Sequence, residues 1–594
     1  MKHAHILAIA AVIAALLPAC GQKTDQPQEK TVTLSASPAS LTFDTEGNTP
    51  KSVTITCSAE PIVSCGVSWI TTKLGSFSST ANNVIMSVSV TDNGTGEDRN
   101  GTISITCGAQ TASVSVKQSG KAEVFSVSVE TIESAFTGSS ETFTVECEGE
   151  PVVSSNKTWC KVISLEQESS GKYVATVGCG INTGEERSAN ISVTCVGKSA
   201  TIPFTQAGFY LEKAETEPVT PAEIKAKLGL GWNLGNQFDA QNNGKSSETA
   251  WGNPKVTQST FNAVAAAGMQ TVRIPVTWLG HIGEAPFYEI DEKWLDRVYE
   301  VVQMAHQAGL CAIINIHHDG SNSEYWLSIK DGGNNATKQA EIIAQLTQMW
   351  YQIATKFADC GDWLVMELCN EPQDGGWGWG DSRNDGGKQY KALNEWNAAF
   401  VKAVRAAGGC NSSRWLTMVP YSCSPDFISN LVIPEDYVTN NRQIVTAHFY
   451  APTNYTLECQ YSEWGHTATA GKKESWGDES YVRDTFNSLK TNYPDKGIPL
   501  YIGEFGNSAR SDSRQQAFRK YYLEYVCKCA SDCGFPMFVW DNGATNDGKE
   551  CHGYFKHDTG AWINDAEDVV AVMLRGYYST EEGYTLQSVY DSAP

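Results

Sequence analysis

The sequence predicts a multidomain chain: two immunoglobulin-like all-β sandwiches followed by an α/β barrel of the (β/α)8, or TIM, type. Three observations carry that prediction. Residues 31–208 alternate Ser or Thr with Val or Ile, as in Ser52-Val53-Thr54-Ile55-Thr56, which is the period of half-buried antiparallel strands. The same region contains one motif twice, so it divides into two copies of one unit. From Glu223 onward, apolar runs alternate with amphipathic helical stretches about eight times, over a length that suits a closed parallel barrel.

The chain opens on a targeting segment. Lys2 is followed by an apolar stretch at 6–17 and by Leu17-Pro18-Ala19-Cys20, a small-residue cleavage site. This resembles a bacterial lipobox, in which Cys20 becomes the lipidated N-terminus after loss of residues 1–20. Residues 21–30 are polar and read as a tether. With no second membrane-length apolar run, the expectation is a monomer anchored by lipid to the outer membrane, exposed at the cell surface. The net charge of −23 argues against nucleic acid, whereas 17 tryptophans can fill cores and still leave aromatics for a binding surface. Of 18 cysteines, 17 remain without Cys20, an odd number that leaves at least one thiol free or paired between chains. Cys527, Cys529 and Cys533 lack zinc-type spacing, and only Cys529 and Cys533 share a helix face, so buried inert thiols are expected.

The copies span 31–120 and 121–208. Arg99-Asn100-Gly101-Thr102-Ile103-Ser104-Ile105-Thr106-Cys107 matches Arg187-Ser188-Ala189-Asn190-Ile191-Ser192-Val193-Thr194-Cys195, and each copy closes on Gln-x-Gly, at Gln118 and Gln206. Trp69 and Trp159 take equivalent places. These features resemble BACON domains, Ig-like modules of carbohydrate-active proteins of the Bacteroidetes. The family name implies glycan binding, but one Trp per copy within a strand-like run favours a core residue and a spacer role. Pro218 and Pro221 then punctuate a linker at 209–222.

In the barrel at 223–594, strands are expected at 228–235, 271–276, 311–315, 364–368, 415–419, 444–447, 500–502 and 537–539. Helices are expected at 256–267, 291–308, 339–357, 390–407, 482–489, 514–533 and 566–574. An open doubly wound sheet is the alternative, but no phosphate-type glycine loop follows the first strand. Barrel enzymes place their sites at the C-terminal ends of the strands. Those ends carry Asn233 and Asn236, then Arg273, then His317, His318 and Asp319, then Asn370 and Glu371. They go on to His448 and Tyr450, Glu504, and Trp540 with Asp541 and Asn542. A barrel with no site has no reason to gather Arg, His and Glu there.

Two glutamates delivered by two strand ends, in Leu368-Cys369-Asn370-Glu371-Pro372 and Ile502-Gly503-Glu504-Phe505-Gly506, are the pair that glycoside hydrolysis uses. The motifs Gly231-Trp232-Asn233-Leu234-Gly235-Asn236, Ile316-His317-His318, Asn370-Glu371-Pro372, His448-Phe449-Tyr450, Gly503-Glu504-Phe505-Gly506 and Trp540, with the Arg273 strand, resemble glycoside hydrolase family 5. Asp239 and Ala250-Trp251-Gly252-Asn253-Pro254 look most like its subfamily 4, of endo-β-1,4-glucanases and xyloglucanases. No catalytic position departs from the pattern. The resemblance implies a retaining mechanism with Glu371 as acid/base and Glu504 as nucleophile, and no cofactor or metal.

Substrate-binding or orienting roles then fall to Asn236, Asp239, Arg273, His317, His318, Asn370, His448, Tyr450 and Trp540. Arg273 and Tyr450 are expected to favour the ionised form of Glu504, and Asn370 to hold the sugar 2-hydroxyl. The histidines orient these groups or bind hydroxyls. A metal on His317-His318-Asp319 is the alternative, disfavoured because successive strand residues face opposite ways. Trp540 is the expected stacking floor, with Trp251 and Trp278 extending the groove. The Gly375–Gly380 loop, with Trp377 and Trp379, either lines leaving-group subsites or packs locally. The expected substrate is a β-glucan, xyloglucan ahead of cellulose, mixed-linkage glucan or mannan, and the expected partner a glycan-uptake system at the outer membrane. The reading from another class is a surface glycan-binding protein that does not cut.

Overall fold

The computed structural model describes residues 33–594; the signal segment, Cys20 and the tether lie outside the described residues. The first sandwich forms one compact unit, and the second sandwich with the barrel forms another. No described helix is long and apolar enough to cross a membrane.

Each sandwich is two four-stranded sheets. In the first, Lys51–Cys57 and Arg99–Cys107 are central strands of opposite sheets. Their alternating burial packs Val53, Ile55, Ile103 and Ile105 into one core. The matching strands of the second sandwich, Ser139–Cys147 and Arg187–Cys195, do the same with Val145, Ile191 and Val193. The repeated motif residues form one constellation in both copies. The Arg99 guanidinium covers Trp69 at 4.5 Å and donates from Nε to Gln118 at 3.0 Å; Arg187 covers Trp159 at 4.2 Å and donates to Gln206 at 2.9 Å. The repeated Trp, Arg and Gln therefore close the sandwich end by cation–π stacking and a partly buried hydrogen bond.

The barrel strands are labelled here β1 (Leu230–Leu234), β2 (Thr271–Ile274), β3 (Cys311–Asn315), β4 (Leu364–Glu367), β5 (Leu416–Met418), β6 (Gln443–Phe449), β7 (Leu500–Phe505) and β8 (Met537–Asp541). They close in that order, and β1 pairs in parallel with β8. Successive residues of a strand face opposite ways. In β4, Leu364 and Met366 accordingly pack against the surrounding helices, while Val365 joins Ile313, Ile444, Tyr501 and Phe538 inside the barrel.

The segment at 209–222 is packed, not free. Phe209 meets Tyr437 edge-on at 5.2 Å, and Thr216 Oγ1 donates to Asn440 O at 2.9 Å. It leads into a helix at Pro221–Leu228 that sequence periodicity did not predict, because eight residues carry too little of an apolar stripe. Its start signals were present: Thr220 is the N-cap in a reciprocal box with Glu223, and Pro221 stands in the first turn. Ile224 and Leu228 plug the bottom of the barrel, and burying each stabilises the closure by about 2 kcal/mol.

Candidate active site

Arg273 organises the mouth of the barrel. On β2 its side chain points inward and is fully buried. It donates to Asn233 on β1 at 3.0 Å, to Glu367 on β4 at 2.7 Å, to Asn370 after β4 at 2.8 Å and to Glu504 on β7 at 2.8 Å. One planar guanidinium thus ties four side chains from three other strand ends together, which a lysine ammonium cannot do. Burial would lower its pKa, but Glu367 and Glu504 more than reverse that and hold it charged.

Sequence reasoning assigned no role to Glu367. It is buried among donors from Arg273, Asn315 at 2.9 Å and the Tyr501 hydroxyl at 2.5 Å. Burial alone would raise its carboxyl, and Arg273 outweighs this and holds it below the usual range. The signal was available: with period two, a strand that sends Val365 inward sends Glu367 inward also, and a buried carboxylate requires a cation.

Glu504 reaches the mouth through an irregularity. The register of β7 shifts against both neighbours, between Ala447 and His448 on one side and between Ile502 and Phe505 on the other. The bulge turns Glu504 inward, where strict alternation from Tyr501 would send it outward. Gly503 makes this possible, since a Cβ there would lie 2.8 Å from Thr446 Oγ1 and 2.9 Å from His448 Nε2. Arg273 holds one carboxylate oxygen of Glu504, and the Tyr450 hydroxyl donates to the other at 3.1 Å. These are the contacts expected from the sequence, but their net effect differs from the expectation. Burial pushes the Glu504 carboxyl above the ordinary range, and His448 and Arg273 only partly pull it back.

Glu371 sits on the opposite lip, its Oε1 2.6 Å from His448 Nδ1. His448 also lies 3.8 Å from Glu504. Burial would lower the imidazole, but Glu504 and Glu371 more than offset it, so His448 titrates above the usual histidine range. One oxygen each of Glu371 and Glu504, with a His448 nitrogen, lie within 4.8 Å of one another.

The remaining expected residues gather beside this pair, on the β1–β3 and β8 side. His317 stacks parallel to Trp540, centroids 5.9 Å apart, and burial, then His318 and Arg273, keep it neutral. Asp239 Oδ2 is 3.6 Å from His318 Nε2, and Trp251 lies 5.5 Å from the same ring. Asn236 adopts a left-handed backbone and accepts from Asn253 at 3.1 Å. Two expectations fail here. Trp278 is fully buried, its indole donating to Asn315 O, so it does not extend the groove. Alternation does not separate His317 from His318, because β3 ends at Asn315 and a 3-10 turn begins at His318. Both rings join Asp239, whereas Asp319 turns away to Trp278 N and the Trp326 indole.

The family model described as cellulase (glycosyl hydrolase family 5) matches residues 235–546, and the one described as BACON, a putative binding domain, matches 58–119 and 149–207. Endoglucanase A of Paenibacillus barcinonensis is 35% identical over 361 residues, covering 58% of this chain and 88% of that protein. A xyloglucan-specific endo-beta-1,4-glucanase of Bacteroides ovatus is 30% identical, covering 74% and 88%. Among solved structures, a GH5-4 broad specificity endoglucanase from Bacteroides salanitronis is 52% identical with a TM-score of 0.60, covering 63% of this chain and 98% of that one. The chain belongs to glycosyl hydrolase family 5 and carries two BACON domains ahead of its barrel.

Proposed function

We propose that the chain is a retaining endo-β-1,4-glucanase, with Glu504 as nucleophile and Glu371 as acid/base. The observation that carries this reading is the approach of the two carboxylates, within 4.8 Å at their nearest oxygens. That suits the separation of about 5–5.5 Å used for direct attack better than the roughly 6.5–9.5 Å that leaves room for a water. Ionised Glu504 attacks the anomeric carbon while Glu371 gives its proton to the departing oxygen. Glu371 then takes a proton from the water that releases the sugar from Glu504. Asn370 has its Oδ1 occupied by Arg273, so its amide hydrogens remain for the 2-hydroxyl.

The pH profile follows from the direction of the Glu504 shift. The nucleophile must be deprotonated, so activity is lost as pH falls through its raised pKa. The acidic limb of kcat/KM therefore sits above the free glutamate value of about 4.3. A limb at or below that value contradicts the assignment.

Xyloglucan is the proposed polymer, in line with the Bacteroides ovatus relative. The 52% identity to a broad specificity endoglucanase favours a second reading, in which mixed-linkage glucan and cellulose are also cut. Reducing-end release from xyloglucan, carboxymethyl-cellulose, barley β-glucan and mannan decides between them. Binding without release from any of these replaces the enzyme reading with glycan capture. A lipid anchor at Cys20, an outer-membrane surface location, a monomeric state and delivery of products to a glycan-uptake system complete the proposal.

The Gly375–Gly380 loop supplies the leaving-group side. It starts beside Glu371 and is organised by Asp374, which accepts from Gly376 N and Ser382 N. Trp377 and Trp379 are 52% and 77% exposed, and Arg383 stacks 3.6 Å over Trp379. Exposed indoles on a fixed loop make a stacking platform for the departing chain. The double alanine variant should raise KM for polymer on the order of tenfold, each stacked ring contributing about 0.5–1.5 kcal/mol. It should leave aryl β-cellobioside hydrolysis unchanged. An equal loss on both substrates removes the loop from that role.

A further inference from the structure

The two sandwiches share a buried constellation but not a surface. Asn93 Nδ2 donates to Glu97 O at 2.9 Å and to Ser119 O at 3.1 Å; Asn182 Nδ2 donates to Glu185 O at 2.8 Å and to Ala207 O at 3.0 Å. These matching bonds, with Gln118-Ser119-Gly120 against Gln206-Ala207-Gly208, align the copies residue by residue at this end. Thr91 and Asp92 therefore stand where the second copy has Gly180 and Ile181, and Lys121 stands where it has Phe209. All three residues of the first copy are exposed.

In the second copy the same places meet the barrel. Ile181 is 4% exposed, and its carbonyl accepts from Gln348 Nε2 of the helix Ala336–Lys356 at 3.1 Å. A Cβ at Gly180 would come within 2.4 Å of that same amide group. Lys402 of the helix Lys388–Ala406 donates to Thr183 O at 2.9 Å and lies 5.3 Å from the Phe209 ring. Phe209 is wedged edge-on between Phe136 of the sandwich, at 5.3 Å, and Tyr437 of the barrel, at 5.2 Å. The two helices precede β4 and β5, and Gln348 and Lys402 lie in their second halves, towards the base of the barrel. The contact therefore leaves the mouth open.

Domains joined by a linker move against each other unless a packed apolar contact holds them. The first copy has the polar residues of a solvated face at these positions, and the second has a glycine, an isoleucine and a phenylalanine fitted to barrel side chains. We propose that Gly180–Thr183 and Phe209 form a docking surface for this chain's own barrel, which makes the second BACON domain a fixed part of the catalytic body. The two copies are then not interchangeable: the first lacks the residues with which to dock in this way.

The test puts the first copy's residues into the second, in the full chain. Gly180→Thr with Ile181→Asp installs a pair that the first sandwich already carries at those places, so the domain should fold. The threonine displaces the Gln348 amide, and the aspartate brings a charge into an apolar contact. Hydrogen exchange followed along a thermal ramp should show peptides of 125–208 opening about 5 °C or more below their wild-type temperature, because docking stabilises the folded sandwich. Peptides of 33–120 should not change. Small-angle X-ray scattering should give a larger radius of gyration, and aryl β-cellobioside hydrolysis at room temperature should stay at the wild-type level. Phe209→Lys, which sets a like charge against Lys402, should repeat these results through a different contact, and it decides the matter if the double variant does not fold. An unchanged radius of gyration in the folded variants overturns the proposal, whether the sandwich opens at its wild-type temperature or opens earlier through local destabilisation alone.

Discussion

Glu504→Ala should lower polymer hydrolysis by roughly 10^4-fold or more, and added azide should restore turnover on an activated aryl β-glycoside. The product should be the α-glycosyl azide, because azide enters from the face that the carboxylate occupied. Glu371→Ala with azide should instead give the β-azide, since there the glycosyl-enzyme still forms and is displaced in a second step. Fold is not the cause of the loss. The Glu504 carboxyl is raised by burial, so its ionisation costs folding free energy at neutral pH. Glu504→Gln should therefore melt at or above the wild-type Tm at pH 7, with the difference closing as pH falls through the raised pKa and the wild-type side chain becomes neutral. A variant that melts well below wild type at pH 7 contradicts the assignment of that shift.

Arg273→Met should have the largest effect on stability. It leaves Glu367 and Glu504 buried without their cation, a loss of about 3–5 kcal/mol or on the order of 10 °C in Tm. The pH dependence has a definite sign. The wild-type Glu367 carboxyl is depressed, so its contribution is present at neutral pH and lost as pH falls through that lowered value. In the variant both carboxyls titrate upward, so the gap to wild type should shrink under acid conditions. Arg273→Lys should recover part of the Tm but not the activity, because an ammonium cannot span Asn233, Glu367, Asn370 and Glu504 at once. Thermal unfolding between pH 4 and 8 with parallel kinetics checks both statements. An Arg273→Met protein with wild-type Tm at pH 7 sinks the reading.

Much of this arrangement was legible in the chain. The barrel strands were readable because each is an apolar run stopped by a polar residue, and their ends named Glu371, Glu504, Arg273, His448 and Tyr450 directly. The repeat named Trp69 with Arg99 and Gln118 as equivalents of Trp159 with Arg187 and Gln206, although only the structure joins them into one stacked group. What stayed hidden depends on contacts between distant segments. Alternation from Val365 places Glu367 inside the barrel, but that its cation is Arg273 appears only in the structure. The bulge that turns Glu504 inward leaves no mark except Gly503, whose need appears only against Thr446 and His448. Trp278 looked like a groove residue because a Trp after a strand end suits either role, and burial chose the other one.

The central claim, direct attack by one carboxylate with the other as acid/base, is tested most directly by the anomeric configuration of the first product. Proton NMR during the first minutes of hydrolysis of a soluble β-1,4-gluco-oligosaccharide should show the β-anomer appearing first and the α-anomer only as mutarotation proceeds. An α-anomer that appears first means that water attacks directly, and it would contradict the roles given to Glu504 and Glu371.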